Sequence, residues 1–170
     1  VDLGGGFGIN YTDKEKPINL SKYSKLVYNF SKKLRKKVSI GFRLNPNVDA
    51  KTHRNISTGK AENKFGLSIK NFKIFLKTIK SFKNIKLDAL SVHIGSQILN
   101  DTPFRKTLNV MSKLIKELKL NLKYVDLGGG FGINYTDKEK PINLSKYSKL
   151  VYNFSKKLRK KVSIGFRLNP

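Results

Sequence analysis

Two hydrophobic periods alternate along the chain. Val38-Ser39-Ile40-Gly41-Phe42-Arg43-Leu44, Leu87-Asp88-Ala89-Leu90-Ser91-Val92-His93 and Leu122-Lys123-Tyr124-Val125-Asp126-Leu127 are short, β-rich runs that end in polar or glycine residues, as strands do. Phe65-Gly66-Leu67 is a weaker candidate. Between these runs the period changes. Phe72, Phe75, Leu76, Ile79 and Phe82 recur at three-and-four spacing. So do Phe104, Leu108, Met111, Leu114, Ile115 and Leu118, and then Tyr147, Leu150, Val151, Phe154 and Leu158, each set predicting a helix with one apolar face. Asp101 or Thr102 before Pro103 suits the cap and first turn of the second helix, and Asn143 the cap of the third. Strand and helix alternating at these lengths predict βαβ units and a parallel sheet with right-handed crossovers. The aromatic stripes are then helix faces packed on that sheet.

One regularity does not fit an ordinary domain. Residues 1–46 and 125–170 are identical, from Val1-Asp2-Leu3 to Leu44-Asn45-Pro46, at a period of 124 residues. Repeats that build solenoids drift in sequence and recur every 20–50 residues or so. Three origins remain: a recent duplication, an engineered chain, or a shorter sequence whose two ends read the same stretch. The terminal position of the copies favours the third. Val1 in place of Met, and Asn169-Pro170 closing a strand-like run, read as cuts from something longer. Otherwise the 170 residues suit one domain, expected over 1–170, with enough apolar content for a single core. There is no long apolar run to cross a membrane and no leader-like start. The absence of cysteine excludes disulfides and thiolate metal sites and suits a cytoplasmic location.

The formal charge of +25 raises the question of nucleic acid. It comes from 30 Lys and only 6 Arg, spread over every helical segment, whereas nucleic-acid readers use clustered Arg for bidentate contacts. A lysine-coated solvated surface explains it better. The densest run, Lys32-Lys33-Leu34-Arg35-Lys36-Lys37, falls where a helix ends, and cations there complement the helix dipole.

The chemically unusual residues gather where the predicted strands end: Arg43-Leu44-Asn45-Pro46, His93-Ile94-Gly95-Ser96-Gln97 and Gly128-Gly129-Gly130-Phe131-Gly132. In an open doubly wound sheet and in a barrel alike, that edge carries the ligand. The glycine run can turn with positive φ and bring backbone N–H groups close to an anion. It is neither the dinucleotide pattern, since residue 133 is Ile, nor a nucleotide P-loop, since no Gly-Lys-Ser/Thr follows. Read alone, it is either a phosphate cradle or a tight turn. His93 ends a strand beside the small pair Gly95 and Ser96, which leaves room for an anion. No carboxylate cluster accompanies it or His53, so no metal site is expected. Arg43 interrupts an apolar strand and must reach a partner at its end. The polar loop of residues 47–60 is long enough to be functional or disordered.

Taken together, Arg43-Leu44-Asn45-Pro46-Asn47-Val48-Asp49-Ala50-Lys51-Thr52-His53, Ile56-Ser57-Thr58-Gly59, Glu62-Asn63-Lys64-Phe65-Gly66, His93-Ile94-Gly95-Ser96-Gln97 and Asp126-Leu127-Gly128-Gly129-Gly130-Phe131-Gly132-Ile133 resemble the diaminopimelate decarboxylase family in kind and order. The resemblance runs unbroken over residues 38–160. It implies an α/β fold, part of an alanine-racemase-like (β/α)₈ barrel, and pyridoxal 5'-phosphate as cofactor. It also implies a lyase that converts meso-diaminopimelate to lysine with loss of carbon dioxide, in an enzyme that is a homodimer when complete. By the same resemblance His93 stacks on the cofactor ring and Arg43 approaches its phenolic oxygen. Ser96 and the amides of Gly128, Gly129 and Gly130 hold the phosphate, with Gly132 in the same loop. An ornithine- or arginine-type decarboxylase and a non-catalytic module binding phosphate or nucleic acid are the alternatives. Two departures stand out. The family's Lys-Ala-Asn-like motif, with the lysine that links to the cofactor, does not occur. Where a Glu-Pro-Gly-Arg strand is due, the chain runs into Val162-Ser163-Ile164-Gly165-Phe166-Arg167, a second arginine strand. No catalytic residue is therefore assigned, and activity of this chain alone is not expected. If the resemblance holds, Arg43, His93, Ser96 and the glycines 128–130 must converge on one sheet edge, with the first glycine copy, near Gly4 to Gly6, lying apart.

Overall fold

A computed structural model describes residues 19–33, 35–50, 65–133, 141–158 and 162–166. The first glycine run, His53 and most of the loop after residue 50 lie outside them. The elements in chain order are α1 (Leu20–Lys33), β1 (Val38–Asn45), β2 (Leu67–Ser68), α2 (Ile69–Lys80), β3 (Ile85–Val92), α3 (Thr102–Glu117), β4 (Tyr124–Asp126), α4 (Leu144–Lys157) and β5 (Ser163–Gly165). All strand pairs are parallel, in the order β2-β1-β3-β4-β5. Apart from the two-residue β2, successive strands are neighbours, so α3 and α4 are crossovers between adjacent strands, while α2 leads from β2 past β1 to β3.

The predicted helix faces build the core. Phe72 and Phe75 of α2, Met111 of α3 and Phe154 of α4 meet Phe42, Leu90 and Val125 in a single cluster. Phe72, Leu90, Met111 and Val125 are wholly buried, and each such side chain contributes roughly 1.5–3 kcal/mol relative to exposure. Strand β3 changes phase midway. Ile85 and Leu87 pack on the core before the break, and Leu90 and Val92 after it. The pairing steps from Ile40↔Leu87 to Gly41↔Ala89 and leaves Asp88 as the extra residue of a bulge. Asp88 is buried there. It accepts a hydrogen bond from Ser39 Oγ at 2.6 Å and lies 2.8 Å from Lys86 Nζ and 3.4 Å from Lys123 Nζ.

Of the expected caps only that of α4 forms, and an unforeseen one joins it. Asn143 accepts from Lys146 N–H at 2.9 Å, and Ser68, not anticipated, caps α2 through Asn71 N–H at 3.2 Å. Asp101 occupies the cap position of α3, but its side chain does not cap. Its carboxylate pairs with Arg105 at 2.7 Å instead, while Asn100 accepts from Thr102 N–H at 3.1 Å. The i,i+4 ion pair offers Asp101 a charged partner in place of the backbone amide.

The identical helices α1 and α4 bury different faces. α4 hides Tyr147 and Phe154, both 2% exposed. α1 hides Ser24, Val27 and Ser31 and leaves Leu26 66% and Phe30 40% exposed. At 3.6 residues per turn, the two buried faces differ by about a quarter turn. The helices themselves are alike: Ser31 Oγ bonds Tyr28 O and Ser155 Oγ bonds Tyr152 O, both at 2.7 Å.

Candidate functional site

The site grows from the C-terminal ends of β1, β3 and β4. Register places Arg43 and Asp126 on either side of Ser91, so His93 emerges between the arginine strand and the glycine loop. Arg43 Nη2 donates to His93 O at 3.4 Å, and the guanidinium lies 5.2 Å from the Phe65 ring centroid. Two N–H groups of the glycine loop are drawn to neighbours. Gly128 N–H donates to Asp126 Oδ1 at 2.8 Å and Gly129 N–H to His93 Nδ1 at 3.3 Å. With Nδ1 accepting, a neutral His93 carries its proton on Nε2.

A short ladder holds the loop against the His93 segment. Ile98 N–H donates to Gly130 O at 2.9 Å, and Gly132 N–H to Ile98 O at 3.0 Å. The Gln97 side-chain amide donates to Ile133 O and accepts from Ile133 N–H at 3.2 Å. Gly128 and Gly130 have φ of 74° and 94°, and the space demands glycine as well. A Cβ on Gly130 would sit 1.9 Å from Gly95 O, and one on Gly128 2.5 Å from Val92 O. The triple glycine thus serves close approach of two backbones, which leaves Gly130 next to Ser96, whose Cα is 3.3 Å from that Cβ position.

Beneath the loop lies an aromatic floor. Phe131 stacks 5.2 Å from Phe104 and meets Tyr147 edge-on at 4.8 Å. Burial, and then the charge of Asp126, push the Tyr147 hydroxyl well above its ordinary range, so it stays protonated. The periodicity of α4 marked Tyr147 only as a helix face. Its place under the glycine loop, and the parts taken by Asp126 and Gln97, are set by tertiary packing and carry no local signal beyond Asp126 and Gln97 flanking the quoted motifs.

All the residues singled out from the sequence, Arg43, His93, Ser96, Gly128, Gly129, Gly130 and Gly132, therefore lie on one edge of one sheet. The fit to a phosphate is narrower than three amides. Those of Gly128 and Gly129 are paired within the protein, and the Gly130 amide and Ser96 hydroxyl are the donors of the set not so engaged among the described residues. A donor pair with no Cβ over it suits a tetrahedral anion.

Comparison with known proteins gives the same direction. Residues 29–165 match the family described as pyridoxal-dependent decarboxylase, pyridoxal binding domain. A diaminopimelate decarboxylase of Haemophilus influenzae is 43% identical over 105 residues, 60% of this chain and 25% of that protein. One from Campylobacter jejuni is 39% identical over 126 residues, 72% of this chain and 31% of that protein. The crystal structure of diaminopimelate decarboxylase from Helicobacter pylori complexed with L-lysine superposes with a TM-score of 0.75 at 31% identity, over 87% of this chain and 38% of that one. The chain spans about a quarter to a third of the length of these curated relatives.

Proposed function

This chain belongs to the pyridoxal-dependent decarboxylase family through its pyridoxal-binding domain, and from that premise we propose that it forms one wall of the cofactor site of an enzyme that decarboxylates meso-diaminopimelate to lysine. Its fold is part of the alanine-racemase-like barrel that such decarboxylases share. The observation that carries the reading is the meeting of Arg43, His93, Ser96 and the glycine loop at one strand-end edge, where barrels of this type hold ligands.

In this reading Ser96 and the Gly130 amide hold the cofactor phosphate. His93 is kept in orientation by the Gly129 amide on Nδ1, offers its ring face to the pyridine, and keeps its remaining nitrogen as a donor. Arg43, anchored on His93 O, brings a fixed positive charge to the ring's phenolic oxygen. Asp126 tethers Gly128 and sets the loop's height over the Tyr147–Phe131 floor. Pyridoxal phosphate, when bound, supplies the electron sink that lets a carboxylate leave as carbon dioxide. A cytoplasmic setting and a homodimeric complete enzyme accompany this reading on family resemblance.

The test is equilibrium binding of pyridoxal phosphate to the full chain, followed by absorbance. Saturable binding displaced by inorganic phosphate is expected, weakened about tenfold by Ser96→Ala and by His93→Ala, since each removes one hydrogen bond or stacking contact worth about 1.4 kcal/mol. No carbon dioxide release from meso-diaminopimelate is expected from this chain alone, because the cofactor-linking lysine motif is absent from it. Binding indifferent to both substitutions removes the site assignment.

A further inference from the structure

Gln97 follows Ser96 directly and has φ of 57°, in the left-handed region that residues with a Cβ seldom adopt. Its backbone and its side chain are both drawn to the exit of the glycine loop. Just beyond it, Ile98 N–H donates to Gly130 O at 2.9 Å and Ile98 O accepts from Gly132 N–H at 3.0 Å. The side chain then takes both backbone groups of Ile133: its Nε2 donates to Ile133 O, and its Oε1 accepts from Ile133 N–H at 3.2 Å. A carboxamide carries a donor and an acceptor side by side, so it can stand in for one residue of a neighbouring strand. Two ladder bonds thus become four.

The exit of the loop depends on these bonds. The Ile133 side chain is 57% exposed and gives that end little apolar packing. Gly132 is pressed against the same segment, where a Cβ would lie 3.1 Å from Gln97 C. A turn that only had to close could use glycine or asparagine, which accept positive φ more readily. Glutamine accepts a strained backbone and adds reach, and strain of this kind gathers where a ligand is clamped. The two donors left for an anion flank the clamp. Ser96 precedes Gln97, and Gly130 opens the ladder that Ile133 closes, with Ser96 Cα 3.3 Å from the Gly130 Cβ position.

We infer that Gln97 is a positioning residue for the anion: by clamping Ile133 it holds the Ser96 hydroxyl and the Gly130 amide at a fixed separation, so that both reach one phosphate group. The inference rests on the reading of that pair as the phosphate donors. Gln97 acts through Ser96 and Gly130, and its carboxamide is spent on Ile133. Loss of the clamp therefore loosens the pair without removing either donor, and the anion keeps one good hydrogen bond at a time.

Gln97→Asn separates the clamp from the turn, because asparagine suits positive φ while its carboxamide falls one methylene short of Ile133. The urea midpoint should stay near that of the wild type. Affinity of the full chain for inorganic phosphate and for pyridoxal phosphate should fall about fivefold, the loss of about one net hydrogen bond. A cycle with Ser96→Ala shows whether the loss runs through the donor pair: that substitution should cost about tenfold in the wild type and about twofold beside Gln97→Asn. Amide ¹⁵N–¹H spectra give a second readout. Saturating phosphate should move the Gly130 signal in the wild type and move it less in Gln97→Asn. If Ser96→Ala leaves wild-type binding unchanged, the phosphate site itself is misassigned and this inference falls with it. If Ser96→Ala weakens binding while Gln97→Asn does not, or if the two losses multiply in full, the site stands and the positioning role is overturned.

Discussion

Replacing Gly130 by alanine tests the claim that the glycine loop exists for backbone contact. The new Cβ would lie 1.9 Å from Gly95 O, where a carbon–oxygen contact needs about 3.3 Å, so the two segments must part by about 1.4 Å. Such a displacement breaks the ladder bonds Ile98 N–H···O Gly130 and Gly132 N–H···O Ile98, each worth about 0.5–1.5 kcal/mol net. Alanine at the positive φ of Gly130 adds about 1–2 kcal/mol. The expected loss is about 3 kcal/mol, which for a chain of this size lowers the melting temperature by about 6–12 °C. Urea and thermal unfolding followed by circular dichroism measure it. Gly132→Ala is the control. Its Cβ meets chiefly the tip of Leu99, at 2.6 Å, which can turn away, and about 1 kcal/mol is expected. A Gly130→Ala loss no larger than that of Gly132→Ala refutes the reasoning.

Asp88 sets an acid limit on stability. Burial alone would raise its carboxyl, but hydrogen bonds from Lys86 and Ser39 and the charges of Lys86 and Lys123 outweigh burial and hold it below the ordinary 3.8. A lowered folded value gives stability that is present above the unfolded value and lost as pH falls through the folded one. The urea midpoint should therefore drop below about pH 4 in the wild type, while Asp88→Asn starts about 1–2 kcal/mol lower at pH 7 and loses that acid dependence. The paired helices supply a second measurement: Phe154→Ala should cost about 3–5 kcal/mol and Phe30→Ala about 1 kcal/mol or less, by urea unfolding at low protein concentration. Equal costs would mean that the two copies are buried alike.

The alternation of periods made the fold readable, because the α2, α3 and α4 stripes pack into the core, Phe104 and Tyr147 in a second cluster under the glycine loop, and each strand run became a parallel strand. The site was readable for a related reason: Arg43, His93 and Gly128 each follow or close a strand, and in a parallel sheet all such ends share one edge. What the local pattern could not carry is whatever depends on a second segment. In β3, residues on both phases are apolar, and only the bulge against Ile40–Gly41 decides that Leu87 and Leu90 share a face while Asp88 stands between them. The glycine amides looked equivalent until Asp126 and the His93 ring engaged two of them. The copies make the same point within one molecule. Leu20–Lys33 and Leu144–Lys157 have identical propensities and identical patterns, yet a phenylalanine that is 2% exposed in one is 40% exposed in the other. A hydrophobic stripe states which face of a helix can be buried. Only a neighbour such as α3 makes it buried.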